Sequence, residues 1–230
     1  MNFCFQFFVF FIAIIWLCFF FECSNGSGIG EVLKNIDEST SNGGPNLENK
    51  ENSWDATACD ERLEITGDKS LTVHYKRKRL GGYRTVFAKH PISSNIDSNG
   101  IFYFEIKVEN FQCILFGFAD KLKKNARDDR IFFRDGTYAY QSNGRTWING
   151  KERNDGYKFG VGDIVGFGVN LKTKKIIFTK NGCLLGSSKF TSASSSAFAQ
   201  LFPFVSLYDP EDKITANFGT EEFKFIPMKL

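Results

Sequence analysis

Histidine is nearly missing from this 230-residue chain, and cysteine is scarce where it would count. Only His74 and His90 are present, the cysteines beyond residue 26 are Cys59, Cys113 and Cys183, and neither a CxxC nor an HExxH spacing occurs. Those spacings are what gather N and S ligands around zinc, so the donor supply argues against a metal centre. Three cysteines are also too few, and odd in number, for a disulfide framework, so at least one is free or paired outside the chain. Cys113 and Cys183 lie in strand-like apolar runs, where a small buried hydrophobe is expected. A strong charge of one sign is lacking too. The formal net charge of +3 does not call for nucleic acid, and aromatic residues do not interleave with basic ones on any strand face.

Beyond the N-terminus there is no second apolar run of membrane-spanning length. The first run, Phe3 to Phe21, is apolar except for Gln6, and nine of the 27 Phe lie before residue 22. Ser24-Asn25-Gly26 follows, with small residues suited to cleavage before Ser27, so residues 1–26 read as a signal peptide, although Lys and Arg are missing from its start. The mature protein is expected to be secreted and to leave the membrane once the leader is removed. Residues 27–53 contain no aromatic side chain and are rich in Ser, Asn and Gly. Lys34 and Lys50 stand there against Glu31, Asp37, Glu38, Glu48 and Glu51, the composition of a disordered linker.

From Trp54 to residue 230 the pattern is one of short strands without a long amphipathic helix. Ile164 to Asn170 is apolar on both pleat faces, with Gly166 and Gly168 leaving room for close neighbours, as in the middle of a covered sheet. Lys175 to Thr179 alternates, with Ile176 and Phe178 on one face. Asn181-Gly182 then predicts a tight hairpin and Cys183 to Leu185 a return strand. Phe102, Phe104, Ile106 and Val108 share a face, as do Leu71, Val73 and Tyr75. Further strands are expected at 113–119, 137–140, 145–148, 201–207 and 214–218. This spacing argues for an antiparallel sandwich or barrel. Gly160, Gly162 and Gly166 do not form a phosphate cradle, because a strand rather than a helix follows them.

Catalytic constellations are equally sparse. Asp128, Asp129, Asp135, Asp209, Glu211 and Asp212 fall in loop-like stretches and Glu105 and Glu109 flank a strand end. No pair is aimed at a common cleft as glycoside hydrolysis requires, and solvated loop charge is the expectation. Cys113, in an apolar run, is expected to be inert as a nucleophile. No catalytic residue, cofactor or metal ligand is assigned. The run Lys76-Arg77-Lys78-Arg79 is the one dense basic segment, open to reading as a nuclear-import tetrad, an acidic-partner contact or a solvated turn.

The stretches WDATACDERLEI, LTVHY, YRTVFAKHPIS, GIFYFEIKV, FGFAD, YAYQSNGRTW, VGDIVGFGVNL, IIFTKNG, LFPFVSLYD and ITANFG, in this order, resemble the SPRY domain, and in particular its Ran-binding-protein-M type. The resemblance covers Trp54 to Phe225. It implies an all-β, bent two-sheet antiparallel sandwich (B30.2-like) over 54–230, non-enzymatic, whose loops at one end bind a protein or peptide. A signal peptide ahead of a lone domain of this type resembles the secreted SPRY effectors of plant-parasitic cyst nematodes. That implies a host protein or peptide as partner, a monomeric state, and delivery into host cytoplasm or nucleus. The loop residues with the chemistry of interface anchors are Arg79, Tyr83, Arg84, Phe132, Phe133, Arg134, Tyr208 and Asp209. A carbohydrate-binding, lectin-like sandwich is the alternative, distinguishable by glycan binding.

Overall fold

The computed structural model describes residues 52–76, 81–92, 100–121, 130–154, 156–189, 198 and 200–225. The expected signal peptide, the linker up to residue 51, Arg79 and the Asp128-Asp129 pair lie outside the described residues. Fourteen strands are present among those described: β1 (Trp54–Cys59), β2 (Leu63–Thr66), β3 (Thr72–Tyr75), β4 (Arg84–Ala88), β5 (Ile101–Asn110), β6 (Ile114–Ala119), β7 (Tyr138–Gln141), β8 (Thr146–Ile148), β9 (Lys151–Arg153), β10 (Ile164–Asn170), β11 (Lys175–Lys180), β12 (Cys183–Lys189), β13 (Phe202–Leu207) and β14 (Lys213–Asn217). They form two seven-stranded sheets, ordered β1-β4-β13-β6-β7-β8-β9 and β12-β11-β10-β5-β14-β3-β2. Every pairing is antiparallel. Two separate sheets decide for the sandwich over the barrel.

The inward faces supply one core. Phe102, Phe104, Ile106 and Val108 of β5 and Val165, Phe167 and Val169 of β10 meet Phe116 and Phe118 of β6 and Val205 and Leu207 of β13. Their rings pack edge to face, with Phe118 on Phe167 at 5.0 Å between centroids and Phe104 on Phe116 at 5.9 Å. Such pairs add to the burial of apolar area, which is what holds two half-apolar sheets together.

β10 lies where its sequence predicts, between β11 and β5. Its glycines answer to Tyr103, whose ring crosses the outer side of the strand. A Cβ at Gly166 would sit 1.9 Å from the Tyr103 hydroxyl, and one at Gly168 2.9 Å from its ring. That hydroxyl bonds Thr179 Oγ1 at 2.6 Å and donates to Glu105 Oε1 at 2.9 Å. Burial, reinforced by the Glu105 charge, pushes its pKa well up. Glu105 also accepts the backbone N–H groups of Lys224 and Phe225, each at 2.9 Å. Phe223 and Phe225 flank the Tyr103 ring at 5.0 and 5.7 Å, so the C-terminal segment seals this outer face. The Asn181-Gly182 turn has the expected positive φ at both residues, 51° and 84°, and its glycine passes beneath the same segment: a Cβ there would come within 2.9 Å of the Lys224 carbonyl.

Several expectations shift. The fold begins before Trp54: Asn52 and Ser53 are buried, and the Asn52 amide brackets His90, donating to its carbonyl and accepting its N–H, both at 3.1 Å. β12 runs on to Lys189. Periodicity did not mark β1, β2, β4 or β9. β4 is buried at four of its five positions and β9 exposed at all three, so neither alternates. Cys183 is half-buried rather than a fully buried apolar side chain. Among the described residues no helix is long and apolar enough to cross a membrane.

Candidate partner-binding surface

The outer face of the first sheet is apolar at its centre, with Phe87, Leu115, Ala139, Trp147 and Phe204 buried. A 3-10 turn, Ile131–Phe133, caps it, packing Phe132 on Trp147 at 4.9 Å. The turn is fastened by Thr137, whose hydroxyl donates to the Ile131 carbonyl at 2.9 Å. At the same edge stand Tyr83, just ahead of β4, and Tyr208, just after β13. Tyr83 contacts Phe132 at 4.9 Å and Tyr208 at 5.1 Å, and Phe132 contacts Phe133 at 4.6 Å. Four rings thus run continuously from Phe133 through Phe132 and Tyr83 to Tyr208.

Only the two ends of that row are open: Phe133 is 53% exposed and Tyr208 39%, whereas Phe132 is 4% exposed. The middle is locked by polar contacts. Gln141 Nε2 donates to the Tyr83 hydroxyl at 2.7 Å and to Cys113 Sγ at 2.9 Å, and that hydroxyl lies 3.3 Å from the sulfur. Burial, then the Cys113 contact, pushes the Tyr83 phenol well up, so it stays neutral and available as a donor. The 81–83 segment lies flat against Tyr208. A Cβ at Gly81 would be 3.0 Å from the Tyr208 ring, and Gly82 N–H donates to the Tyr208 carbonyl at 2.9 Å. Arg130 lies over the Phe133 ring at 5.6 Å, adding a cation to the open end.

Of the anchors expected from sequence, Tyr83, Phe132, Phe133 and Tyr208 are brought together. Arg84 is not at the surface: it is 9% exposed, its Nη1 donates to the Tyr83 carbonyl at 2.7 Å and its Nε lies 4.0 Å from Asp60. Phe132 packs beneath its own turn. Arg134 and Asp209 are half-buried, and Asp209 Oδ1 takes the Glu211 N–H at 3.2 Å, serving its own turn. Arg79 lies outside the described residues. Sequence reasoning missed Gln141 and misread Cys113, which is a half-buried free thiol contacting Tyr83. Alternation across β7 could have flagged Gln141, since it shares the outer face with Ala139.

Two carboxylates expected as solvated charge are instead buried. Glu105 holds the C-terminal segment, and Asp212 lies fully inside the loop that follows Tyr208. At the far edge of the first sheet, Lys121 donates to Asp55 at 2.5 Å and to the Ala88 carbonyl at 3.3 Å. Burial raises the Asp55 pKa, but bonds from Lys121 and Thr57 outweigh it and hold the carboxyl down to about 2. Among the described residues no three His, Cys, Asp or Glu gather within reach of one metal ion.

The model of the SPRY domain family matches residues 101–221, more than half of the 230. This chain belongs to the SPRY family. Ran-binding protein 10 of Danio rerio is 31% identical over 161 residues, covering 68% of this chain and 25% of the relative. The Ran-binding protein M homolog of Arabidopsis thaliana is 29% identical over 174 residues, covering 71% of this chain and 34% of the relative. The chain therefore spans only a quarter to a third of these curated relatives. Among solved structures, a human SPRY domain superposes with a TM-score of 0.55 at 21% identity, covering 70% of this chain and 98% of its own. The SPRY domain of human HERC1 gives 0.56 at 15% identity, covering 74% and 100%. These likenesses support the fold, and the family is that of a non-enzymatic protein-interaction module.

Proposed function

We propose that this SPRY domain is a secreted, monomeric recognition module that binds a host protein or peptide through the Phe133–Tyr208 end of its first sheet. The observation that carries the reading is the row of four rings with exposed ends on a locked middle. Exposed aromatics on a rigid support bury large area at little entropic cost, which is how a few anchors come to dominate an interface. The apolar leader at residues 1–26 supports secretion, and no residue pattern demands a cofactor. Such a module acts by scaffolding, blocking or competing. The test is capture from host extract, identification of the captured protein by mass spectrometry, and titration with that protein once purified. The double variant Phe133→Ala/Tyr208→Ala is expected to keep its melting temperature and lose capture. Buried Arg84 and Phe132 are unsuitable targets, because truncating them would damage the fold. Wild-type affinity in the double variant, or specific binding on a glycan array in place of a protein, would sink the reading.

A further inference from the structure

Five large apolar side chains are exposed among the described residues, and only Phe133 and Tyr208 belong to the row of rings. The other three, Tyr157 at 52%, Val161 at 62% and Leu184 at 38%, fall on the segment leading into β10 and on the β11–β12 hairpin beside it. Val161 tops a tight turn. The Asp163 N–H donates to the Gly160 carbonyl at 3.1 Å, the Asp163 carboxylate takes the Gly160 N–H at 2.8 Å, and Gly162 supplies the positive φ, 86°, that such a turn needs. Leu184 follows the Asn181-Gly182 turn, and the two turns are cross-bonded. Asn181 Nδ2 donates to Asp163 Oδ1 at 2.7 Å, the Ile164 N–H donates to Asn181 Oδ1 at 2.9 Å, and Lys180 reaches both Asp163 and the Lys158 carbonyl at 3.3 Å. Tyr157 is held through its own carbonyl, which accepts the Tyr140 hydroxyl. All three side chains thus stand on one cross-bonded end of the sandwich.

Positive charge surrounds them. Lys107, opposite Ile164, Lys158, and Lys224, whose Cγ lies 3.4 Å from where a Gly182 Cβ would be, are exposed and enter no ion pair among the described residues. The acids alongside are matched: Asp163 by Lys180, Glu109 by Lys213 and Glu152 by Arg145. Glu221 and Glu222, exposed as well, lie back beside Asn217.

We propose that this end of the sandwich is a docking surface for an anionic bilayer, held at the interface by side chains rather than by a spanning segment. Tyr157, Val161 and Leu184 enter the boundary between headgroups and acyl chains. Lys107, Lys158 and Lys224 meet lipid phosphate and carboxylate groups, with their stems laid along the same apolar layer. Apolar side chains carried separately on a loop, a turn and an edge strand suit a fluid interface, which needs no complementary shape, better than a protein partner, whose contacts are close-packed. The unmatched lysines are the second signal that anchoring takes, since a small apolar insertion alone holds a protein only weakly. The inference rests on residues other than those of the Phe133–Tyr208 surface.

The test uses the full chain with Trp16→Phe, which removes the indole of the leader, and with Val161→Trp as a reporter. Trp54 and Trp147 are buried and give a constant background. Vesicles of phosphatidylcholine with about a third phosphatidylserine, and of phosphatidylcholine alone, are added at low salt. An apolar leader binds vesicles by itself, so the decisive readout is local to residue 161. With the anionic vesicles the reporter emission should shift to the blue and be quenched by lipids brominated on the acyl chain. A control reporter, Lys151→Trp at the Asn149-Gly150 end of β9, should not respond. Lys107→Gln and Lys158→Gln should each lower the ratio of docked to undocked reporter about fivefold, with the melting temperature unchanged. A reporter that stays unquenched, responds equally to neutral vesicles, or keeps its full response after both lysines are replaced would overturn the proposal. So would a reporter that responds to the captured host protein and to no vesicle, which assigns this end to a protein interface. If Val161→Trp does not fold, Tyr157→Trp takes its place as reporter.

Discussion

The outer face of the second sheet and the outer face of the first sheet are both covered by short segments of their own chain, yet one is closed and the other is left with open ends. On the second, Phe223 and Phe225 clasp Tyr103, and the backbone of the clasp is bonded directly to buried Glu105. On the first, the Ile131–Phe133 turn buries Phe132 and leaves Phe133 outside, beside Tyr83 and Tyr208. The difference lies in backbone bonding. A cap whose N–H groups end on a buried carboxylate is part of the core. A cap fastened chiefly by one ring and one hydroxyl bond can afford an exposed side chain, and exposed aromatics on a fixed frame are what recognition needs.

The hardest way to break this comparison is to remove the carboxylate. Glu105→Ala would strand two backbone N–H groups and take from the Tyr103 hydroxyl its carboxylate acceptor, and a loss of roughly 4 kcal/mol is expected in denaturant melts. A loss under about 1 kcal/mol would mean that the C-terminal segment is not integral to the sheet. Next comes Phe225→Ala, expected to cost about 3 kcal/mol as a buried ring is lost beside Tyr103. Thermal unfolding should show it, and partner capture at temperatures well below the transition should be unchanged.

On the first sheet the expectation reverses. Phe133→Ala or Tyr208→Ala should each cost less than about 1 kcal/mol of stability, yet weaken partner binding by roughly 2 kcal/mol, as titration with the purified partner would reveal. Equal losses in stability and binding would erase the distinction between the faces. The smallest effect concerns pH. The Asp55 carboxyl is held down to about 2 from 3.8, so its contribution is complete above 3.8 and is lost as pH falls toward 2. Lys121→Met should flatten that part of the acid stability profile, measured by melts between pH 5 and 2, and leave the C-terminal clasp untouched.

Much of this architecture was legible in the chain. The alternation of Ile176 and Phe178 with Ile177 and Thr179, the apolar run of β10 and the Asn181-Gly182 turn each depend on local backbone geometry, and each is found where expected. The candidate site was legible only as a set of loop residues with suitable chemistry. Tyr83, Phe133 and Tyr208 are open or half-open there, but Arg84 and Phe132 turn inward, because exposure depends on which neighbour lies above a side chain.

Sequence alone determined the alternating and fully apolar strands such as β5, β10 and β11 and the Asn181-Gly182 turn, since pleat period and positive-φ preference are properties of a few adjacent residues. Tertiary structure decided the rest. Gly166 had to remain a glycine because Tyr103, 63 positions earlier, lies across it. Glu105 and Asp212 look like solvent-facing charges in a one-dimensional reading. They become buried hubs only when segments distant in sequence, Lys224–Phe225 for one and Gln112 for the other, bring backbone N–H groups to them. A buried carboxylate is tolerable only with such donors, and their arrival is a matter of topology that local propensity does not encode.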